Sequence, residues 1–160
     1  MRQLLAMVLS GLALPAMAAE TGPTVVIDGR IDPAEWAGAQ HITDFRQVQP
    51  LTRAPVSQPT EAWILATPEG LAIGFRNVQP ASVPRTRQHV QRDFNDQVDR
   101  VNLMVDFDGD GRTGYNFTIA STDGITDAVI SNENNFNTDW DGNWQHAVSE
   151  DAEGWSAEML

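Results

Sequence analysis

Residues 60–75 have the sequence TEAWILATPEGLAIGF, in which two alternating runs flank a Pro-Glu-Gly turn. In the first run Ala62 and Ile64 share one face of a strand, and Trp63 lies on the other face, where we expect an exposed ring. Apolar side chains at every second position are typical of a half-buried strand. A tight turn between two such runs predicts a β-hairpin.

The same alternation continues along the chain and decides the fold class. Further strands are predicted at residues 24–28, 101–107, 115–119, 125–130, 144–148 and 155–160. About nine short strands with turn signals between them and almost no helix indicate an all-β fold, an antiparallel β-sandwich of the jelly-roll or immunoglobulin-like type. Asp32 and Pro33 favour a single helical turn that carries Trp36 to the core. The last alternation reaches Leu160 without a closing turn, so we expect a sandwich truncated at its C-terminal end.

The first eighteen residues have the pattern of a secretory signal peptide. Arg2 supplies a positive charge, the apolar run at residues 4–14 is too short to span a bilayer, and Ala16-Met17-Ala18 matches a cleavage site. We therefore assign residues 1–18 to a signal peptide and residues 19–160 to one domain. This assignment predicts that the protein is exported.

The charge of the chain is strongly negative and unevenly distributed. The chain has twenty-two acidic residues and ten arginines, which gives a net charge of −12. Residues 1–92 carry eight arginines and seven acidic residues, whereas residues 93–160 carry two arginines and fifteen acidic residues. Such a surface repels nucleic acid, so we expect no nucleic-acid partner. The absence of cysteine excludes disulfides and thiol chemistry.

An acidic loop at residues 106–111 (DFDGDG) predicts a cation site. The alternating carboxylates of Asp106, Asp108 and Asp110 can converge on calcium, a hard cation that takes six to eight oxygen ligands. Position twelve of this pattern is Phe117 and not a glutamate, so the loop is not an EF-hand and needs further ligands. The candidates are Asp127, Asn134, Asp139 and Asp141. A plain hairpin loop in which Asp106 caps the turn is the alternative.

Two tryptophans, Trp140 and Trp144, flank an Asn/Asp-rich loop and are candidate sugar-binding residues, together with Trp63. An aromatic ring can cover the apolar C–H face of a sugar while neighbouring amides and carboxylates bind its hydroxyls. The alternative is that the two loop rings pack the loop onto the sandwich. No spacing selects the carboxylate pair of a glycoside hydrolase, and the sequence designates no catalytic residue.

Four motifs in order resemble the family 9 carbohydrate-binding modules. They are residues 26–36 (VIDGRIDPAEW), the hairpin at residues 60–74, residues 99–115 with their D-x-V…D and T-G-Y elements, and residues 154–158 (GWSAE). Residues 44–50 (DFRQVQP) resemble the variant found at the N-terminus of bacterial outer-membrane β-barrel proteins. The resemblance implies a β-sandwich, which calcium stabilises in the xylanase-linked members, where two tryptophans clamp a terminal sugar.

The resemblance also implies where a sugar would bind. The first stacking tryptophan of the family falls at Asp96, its sugar-binding glutamate at Asn102 and an arginine at about Thr118, while its second tryptophan falls beyond Leu160. Asn102 therefore joins the three tryptophans as a ligand-binding candidate. The implied partners are an oligosaccharide or polysaccharide and a downstream β-barrel of the same full-length protein. The implied location is the periplasm, the outer membrane or the cell surface.

Three functional hypotheses follow from the sequence. The first is an exported carbohydrate-binding module, accessory to polysaccharide binding or breakdown at the cell envelope. The second is a structural or docking domain of an outer-membrane barrel protein without sugar affinity. The third is a glycoside hydrolase.

Overall fold

The computed structural model describes residues 22–93 and 96–160, so the predicted signal peptide lies outside the described residues. Within them, nine strands form two antiparallel sheets. The strands are β1 (Gln40–Ile42), β2 (Thr60–Ala66), β3 (Leu71–Val78), β4 (Arg100–Val105), β5 (Gly114–Ala120), β6 (Ile125–Ser131), β7 (Asn135–Asn137), β8 (His146–Glu150) and β9 (Gly154–Met159). The five-stranded sheet has the order β1-β2-β3-β9-β8, and the four-stranded sheet has the order β4-β5-β6-β7. The predicted all-β sandwich is confirmed.

The main core lies between the two sheets. Inward-facing side chains of the five-stranded sheet, such as Phe75 and Trp155, pack with Val101 and Ile119 of the four-stranded sheet. Each of these residues lies in an alternating run, and its outward-facing neighbours point to the opposite face. The predicted hairpin of β2 and β3 is present and pairs Ala62 with Phe75.

A second apolar cluster covers the outer face of the five-stranded sheet. The N-terminal segment (residues 22–39) places Val25 and Trp36 against Leu65 and Ala72 of the sheet. The predicted turn at Asp32 is present, since its backbone oxygen accepts hydrogen bonds from the Glu35 and Trp36 amides at 3.1 Å. The two central strands, β3 and β9, are therefore largely buried on both faces.

A buried carboxylate fastens the N-terminal segment to the sheet. Glu158 of β9 is 0% exposed. Its Oε2 accepts hydrogen bonds from the amides of Asp28 at 3.0 Å and Gly29 at 2.8 Å, and its Oε1 accepts one from the Trp36 indole at 3.1 Å. Burial raises the pKa of Glu158, although these three donors favour the charged form.

Glycine allows the close approach that this contact requires. A Cβ on Gly29, where φ is +83°, would lie 2.5 Å from the Val148 carbonyl carbon. A Cβ on Gly74 would lie 2.7 Å from Ile31 Cδ1 and 2.9 Å from the Trp36 ring. All three distances are shorter than a carbon–carbon contact allows. The segment can therefore lie directly on the sheet only because these two positions lack a side chain.

The structure differs from the sequence prediction at four elements, one of which is strand β1, Gln40–Ile42, which no alternating run predicted. Residues 24–28 form no strand: the amide of Val26 bonds to the Glu35 carboxylate, and the amide of Asp28 bonds to the Val26 carbonyl and the Glu158 carboxylate, so neither amide bonds to the backbone of a neighbouring strand. Strand β7 lies in the region expected to be only a loop. Strand β8 begins at His146 and not at Trp144, although Gln145 still exchanges two backbone hydrogen bonds with Leu160. No helix in the described part of the chain is long and apolar enough to cross a membrane.

Replacing Glu158 with glutamine is expected to destabilise the fold by about 1–3 kcal/mol at pH 4, measured by urea unfolding. The amide nitrogen of glutamine cannot accept a hydrogen bond, so a buried donor among the three partners of Glu158 loses its acceptor. The matched control is Glu153→Gln, at an exposed position of the β8–β9 turn. Equal stability of the two variants would contradict this role for Glu158.

The stability deficit of Glu158→Gln is also expected to narrow as the pH rises from 4 to 8. Because the pKa of Glu158 is raised in the folded state, its contribution is fully present below the unfolded pKa of about 4.3 and is lost as the pH rises through the folded pKa. Glutamine does not titrate, so the variant does not lose this part of the stability as the pH rises. The stability of the wild type therefore falls toward that of the variant. A stability deficit that widens as the pH rises would contradict a raised pKa for Glu158 in the folded state.

Candidate functional site

The four candidate ligand residues lie in three separate clefts. Asn102 lines a cleft of about 290 Å³, which we call the amide cleft. Trp140 and Trp144 line an apolar cleft of about 260 Å³, which we call the aromatic cleft. Trp63 lines a cleft of about 600 Å³ on the outer face of the five-stranded sheet, which we call the arginine cleft. The structure therefore does not bring the four residues together in one site.

The amide cleft lies on the outer face of the four-stranded sheet. Its floor is a cross-strand row in which Asn102 of β4 is opposite Thr118 of β5, and Thr118 is opposite Thr126 of β6. The period-2 alternation places all three side chains on the same face, away from the core. The lining residues are Asp93, Arg100, Asn102, Met104, Asn116, Thr118, Thr126, Ala128, Phe136 and Thr138.

A hydrogen-bond network holds Asn102 in place. Its Nδ2 donates to Asn116 Oδ1 at 2.7 Å and to Thr118 Oγ1 at 2.6 Å. Asn116 and Thr118 are buried, whereas Asn102 is exposed. Within the part of the chain that the structure describes, the carboxamide oxygen of Asn102 has no hydrogen-bond partner. A fixed acceptor is thus presented to the cleft.

Two exposed apolar side chains lie beside this network. Phe136 of β7 is 45% exposed and Met104 of β4 is 59% exposed, and both line the amide cleft. Fixed amide and hydroxyl groups next to an exposed ring can bind a ligand that has both hydroxyls and an apolar face. Phe136 was not predicted, because a lone phenylalanine in an Asn-rich run gives no periodic signal. Asn116 and Thr126 were not predicted either, because strand register alone places Asn116 diagonally opposite Asn102 and Thr126 opposite Thr118.

The tryptophans of the aromatic cleft belong to a cluster of rings. Trp140 contacts Tyr115 and Phe117 at centroid distances of 5.1 and 6.2 Å, and Trp144 contacts Phe117 edge-on at 5.3 Å. The Trp144 indole also donates a hydrogen bond to Asp127 Oδ2 at 3.1 Å. This geometry supports the alternative in which the two rings hold the loop on the sandwich.

The carboxylates of the acidic loop are bonded to the loop's own backbone. Asp106 accepts hydrogen bonds from the amides of Asp108, Gly109 and Gly111 at 3.1, 2.7 and 2.8 Å. Asp110 accepts from the amides of Arg112 and Thr113, and these bonds lower the pKa of Asp110. Asp108 is exposed. Asp106 and Asp110 thus act as turn caps, as in the alternative that the sequence left open.

One group of three carboxylates does come together in residues 22–93 and 96–160. Oxygens of Asp93, Asp127 and Asp141 lie within 4.8 Å of one another, whereas Asp139 is exposed and outside this group. Arg92 lies among the three. Its Nη2 is 2.7 Å from Asp127 and 2.7 Å from Asp141, and its Nε is 3.4 Å from Asp93.

The guanidinium of Arg92 supplies the positive charge that this group requires. Asp127 is 0% exposed, and its second oxygen accepts the amide of Gly142 at 2.6 Å and the Trp144 indole. The guanidinium of Arg92 already bonds to all three carboxylates in this arrangement. Calcium binding stays a prediction from the loop pattern and the resemblance, and no step of the function proposed below depends on it.

Replacing Arg92 with glutamine is expected to cost about 1–3 kcal/mol of folding free energy, because buried Asp127 loses its cationic partner. The expected cost is below that of a fully buried pair since the Arg92 side chain is 41% exposed. Thermal and urea unfolding would measure it, with Arg112→Gln as a control of equal charge change at an exposed loop position. Equal stability of the two variants would contradict the pairing.

The arginine cleft joins the N-terminal segment to the β8–β9 turn. Its lining residues are Arg30, Ile31, Pro33, Trp63, Arg76, Ser149, Glu150, Asp151 and Ser156. Trp63 is half-buried, and one face of its ring stacks on His41 at a centroid distance of 4.7 Å and an interplanar angle of 9°. The expected exposed ring is therefore only partly exposed.

We compared the chain with known proteins. No protein-family model matches it, and no curated protein or solved structure matches it significantly. The family resemblance therefore stays a prediction from the quoted motifs. Two of those motifs meet in space, because Asp28, Gly29 and Trp36 of the first bind Glu158 of the last.

Proposed function

We propose that this chain is a glycan-binding domain that holds a neutral sugar in the amide cleft. The observation that carries the proposal is the fixed network of Asn102, Asn116 and Thr118 beside the exposed ring of Phe136. Such a site supplies hydrogen bonds to sugar hydroxyls and an apolar surface to the sugar ring. The resemblance to carbohydrate-binding modules, in which Asn102 falls at a sugar-binding position, supports the same cleft.

The size of the amide cleft favours one terminal sugar unit. Its volume of about 290 Å³ is near the lower end of the range for small-molecule sites, about 300–1,000 Å³. The carboxamide oxygen of Asn102 accepts a sugar hydroxyl, and Thr126 and Thr138 offer hydroxyls that both donate and accept. Few polar contacts in a shallow cleft give weak binding, which suits a module that adds affinity to a larger assembly.

The proposed setting is the cell envelope. It rests on the predicted signal peptide at residues 1–18 and on the resemblance to N-terminal domains of outer-membrane barrel proteins. In that setting the domain is exported to the periplasm, the outer membrane or the cell surface. There it is accessory to polysaccharide binding or breakdown and is joined to a β-barrel in the full-length protein.

A second candidate function is a docking domain without sugar affinity. The aromatic cleft favours it, because Phe107 is 71% exposed and Leu71 is 39% exposed at this apolar surface. Exposed apolar side chains that lie together mark many protein interaction sites. In this alternative the apolar surface contacts another domain, and the amide cleft binds no sugar.

A glycan array followed by calorimetric titration of the bound neutral oligosaccharides would test the proposal. Phe136→Ala is expected to weaken binding about two- to tenfold, because it removes an aromatic contact worth about 0.5–1.5 kcal/mol. The matched control is Phe107→Ala, which removes an exposed ring from the aromatic cleft. Titration in calcium and then in chelator would test the calcium prediction separately.

Three results would reject the amide cleft as a sugar site. One is the absence of any neutral glycan that binds the wild-type chain. Another is a loss of affinity in Phe107→Ala that equals the loss in Phe136→Ala. The third is unchanged affinity in Phe136→Ala and in Asn102→Ala. Binding that survives the chelator would show that calcium is not required.

A further inference from the structure

The arginine cleft continues across the β8–β9 turn into a second depression. That depression measures about 420 Å³ and is lined by Arg85 and Arg87. Glu150 and Asp151 line both parts, so the two carboxylates form a ridge between two pairs of arginines. The chain as a whole carries a net charge of −12. A group of four guanidiniums around one turn is therefore unusual for this chain.

The carboxylates of the ridge are already bonded to arginines. Glu150 is shared between Arg85, at 3.3 Å, and Arg87, at 2.8 Å. Asp151 accepts a hydrogen bond from Arg76 at 2.9 Å and others from the amides of Glu153 and Gly154. The bond from Arg76, together with these amides, lowers the pKa of Asp151 to about 2. Asp151 is therefore ionised at neutral pH.

One guanidinium of the arginine cleft has no acidic partner after this pairing. In the part of the chain that the structure describes, the guanidinium of Arg30 has no carboxylate partner. Glu61 lies opposite Arg76 in the sheet, but its carboxylate is bonded to His41 at 2.7 Å. The arginine cleft itself is lined by two guanidiniums and two carboxylates. Glu150 is bonded to Arg85 and Arg87 of the second depression, and Asp151 is bonded to Arg76, so Arg30 is left without an ion pair within the described residues.

The opposite wall of the cleft is apolar. It consists of Ile31 and Pro33 of the N-terminal segment and the half-buried Trp63. The floor carries the hydroxyl of Ser156, to which Arg76 donates at 3.3 Å. A ligand that fits these surroundings has a planar anionic group for a guanidinium and a C–H face for the apolar wall.

We propose that the arginine cleft binds a uronic acid unit of an acidic polysaccharide, with its carboxylate at Arg30 and its ring against Ile31, Pro33 and Trp63. Guanidinium and carboxylate match as planar, bidentate partners, and the volume of about 600 Å³ accommodates more than one sugar ring. This site is on the opposite sheet from the amide cleft and does not depend on the neutral-sugar site.

Titration with a galacturonic acid trimer and with the matched neutral galactose trimer would test the inference in the intact chain. The acidic trimer is expected to bind, to weaken with added salt and to shift the indole resonance of Trp63. Arg30→Gln is expected to weaken binding about two- to fivefold, the value of an exposed ion pair. Arg30 is exposed and its side chain makes no ion pair within the described residues, so the variant is expected to keep the stability of the wild type.

Two control variants separate binding in the arginine cleft from a general charge effect and from binding in the amide cleft. Arg112→Gln changes the charge equally on the other sheet and is expected to leave the affinity unchanged. Phe136→Ala tests the amide cleft and is likewise expected to leave binding of the acidic trimer unchanged. Equal losses in Arg30→Gln and Arg112→Gln, or equal affinity for both trimers, would overturn the inference. Inorganic phosphate that competes as strongly as the acidic trimer would show a general anion site and would also overturn it.

Discussion

The buried carboxylate of Glu158 is the contact on which the arrangement of the five-stranded sheet depends. It lies in β9, a central strand, and binds the backbone of the N-terminal segment and the Trp36 indole at once. Leaving these donors without an acceptor inside the protein would cost more than a typical hydrogen bond contributes. This contact holds the N-terminal segment over the sheet. Arg30 and Ile31 of that segment form one wall of the arginine cleft, so the cleft also depends on the contact.

Alternation predicted much of this fold and could not predict its central contact. The hairpin at residues 60–75 was predicted because its apolar side chains recur with period two and its turn is Pro-Glu-Gly. In the run GWSAEM the same rule places Glu158 on a face that is normally wet. Only the folded chain shows that Trp36 and Gly29 cover that face, because they are more than 120 residues away in sequence.

The candidate site divides in a similar way. Asn102 is a candidate only through the family resemblance, and its bonds to Asn116 and Thr118 depend on strand register. The sequence shows every acidic residue of the candidate cation site, but it does not show which arginine pairs with each of them. Asp127 pairs with Arg92, which is 35 positions away, and spacing along the chain carries no signal for such a contact.

These long-range ion pairs explain part of the uneven distribution of charge along the chain. The arginines of residues 1–92 meet the acidic residues of residues 93–160 across the fold: Arg92 with Asp127 and Asp141, Arg76 with Asp151, and Arg85 and Arg87 with Glu150. The pairing is complete at Asp127 and incomplete around Glu150, where two guanidiniums share one carboxylate. The outer faces of the two sheets therefore differ in kind. One offers amides beside an exposed ring in a cleft that Asp93 and Arg100 also line, and the other offers the guanidinium of Arg30 beside an apolar wall.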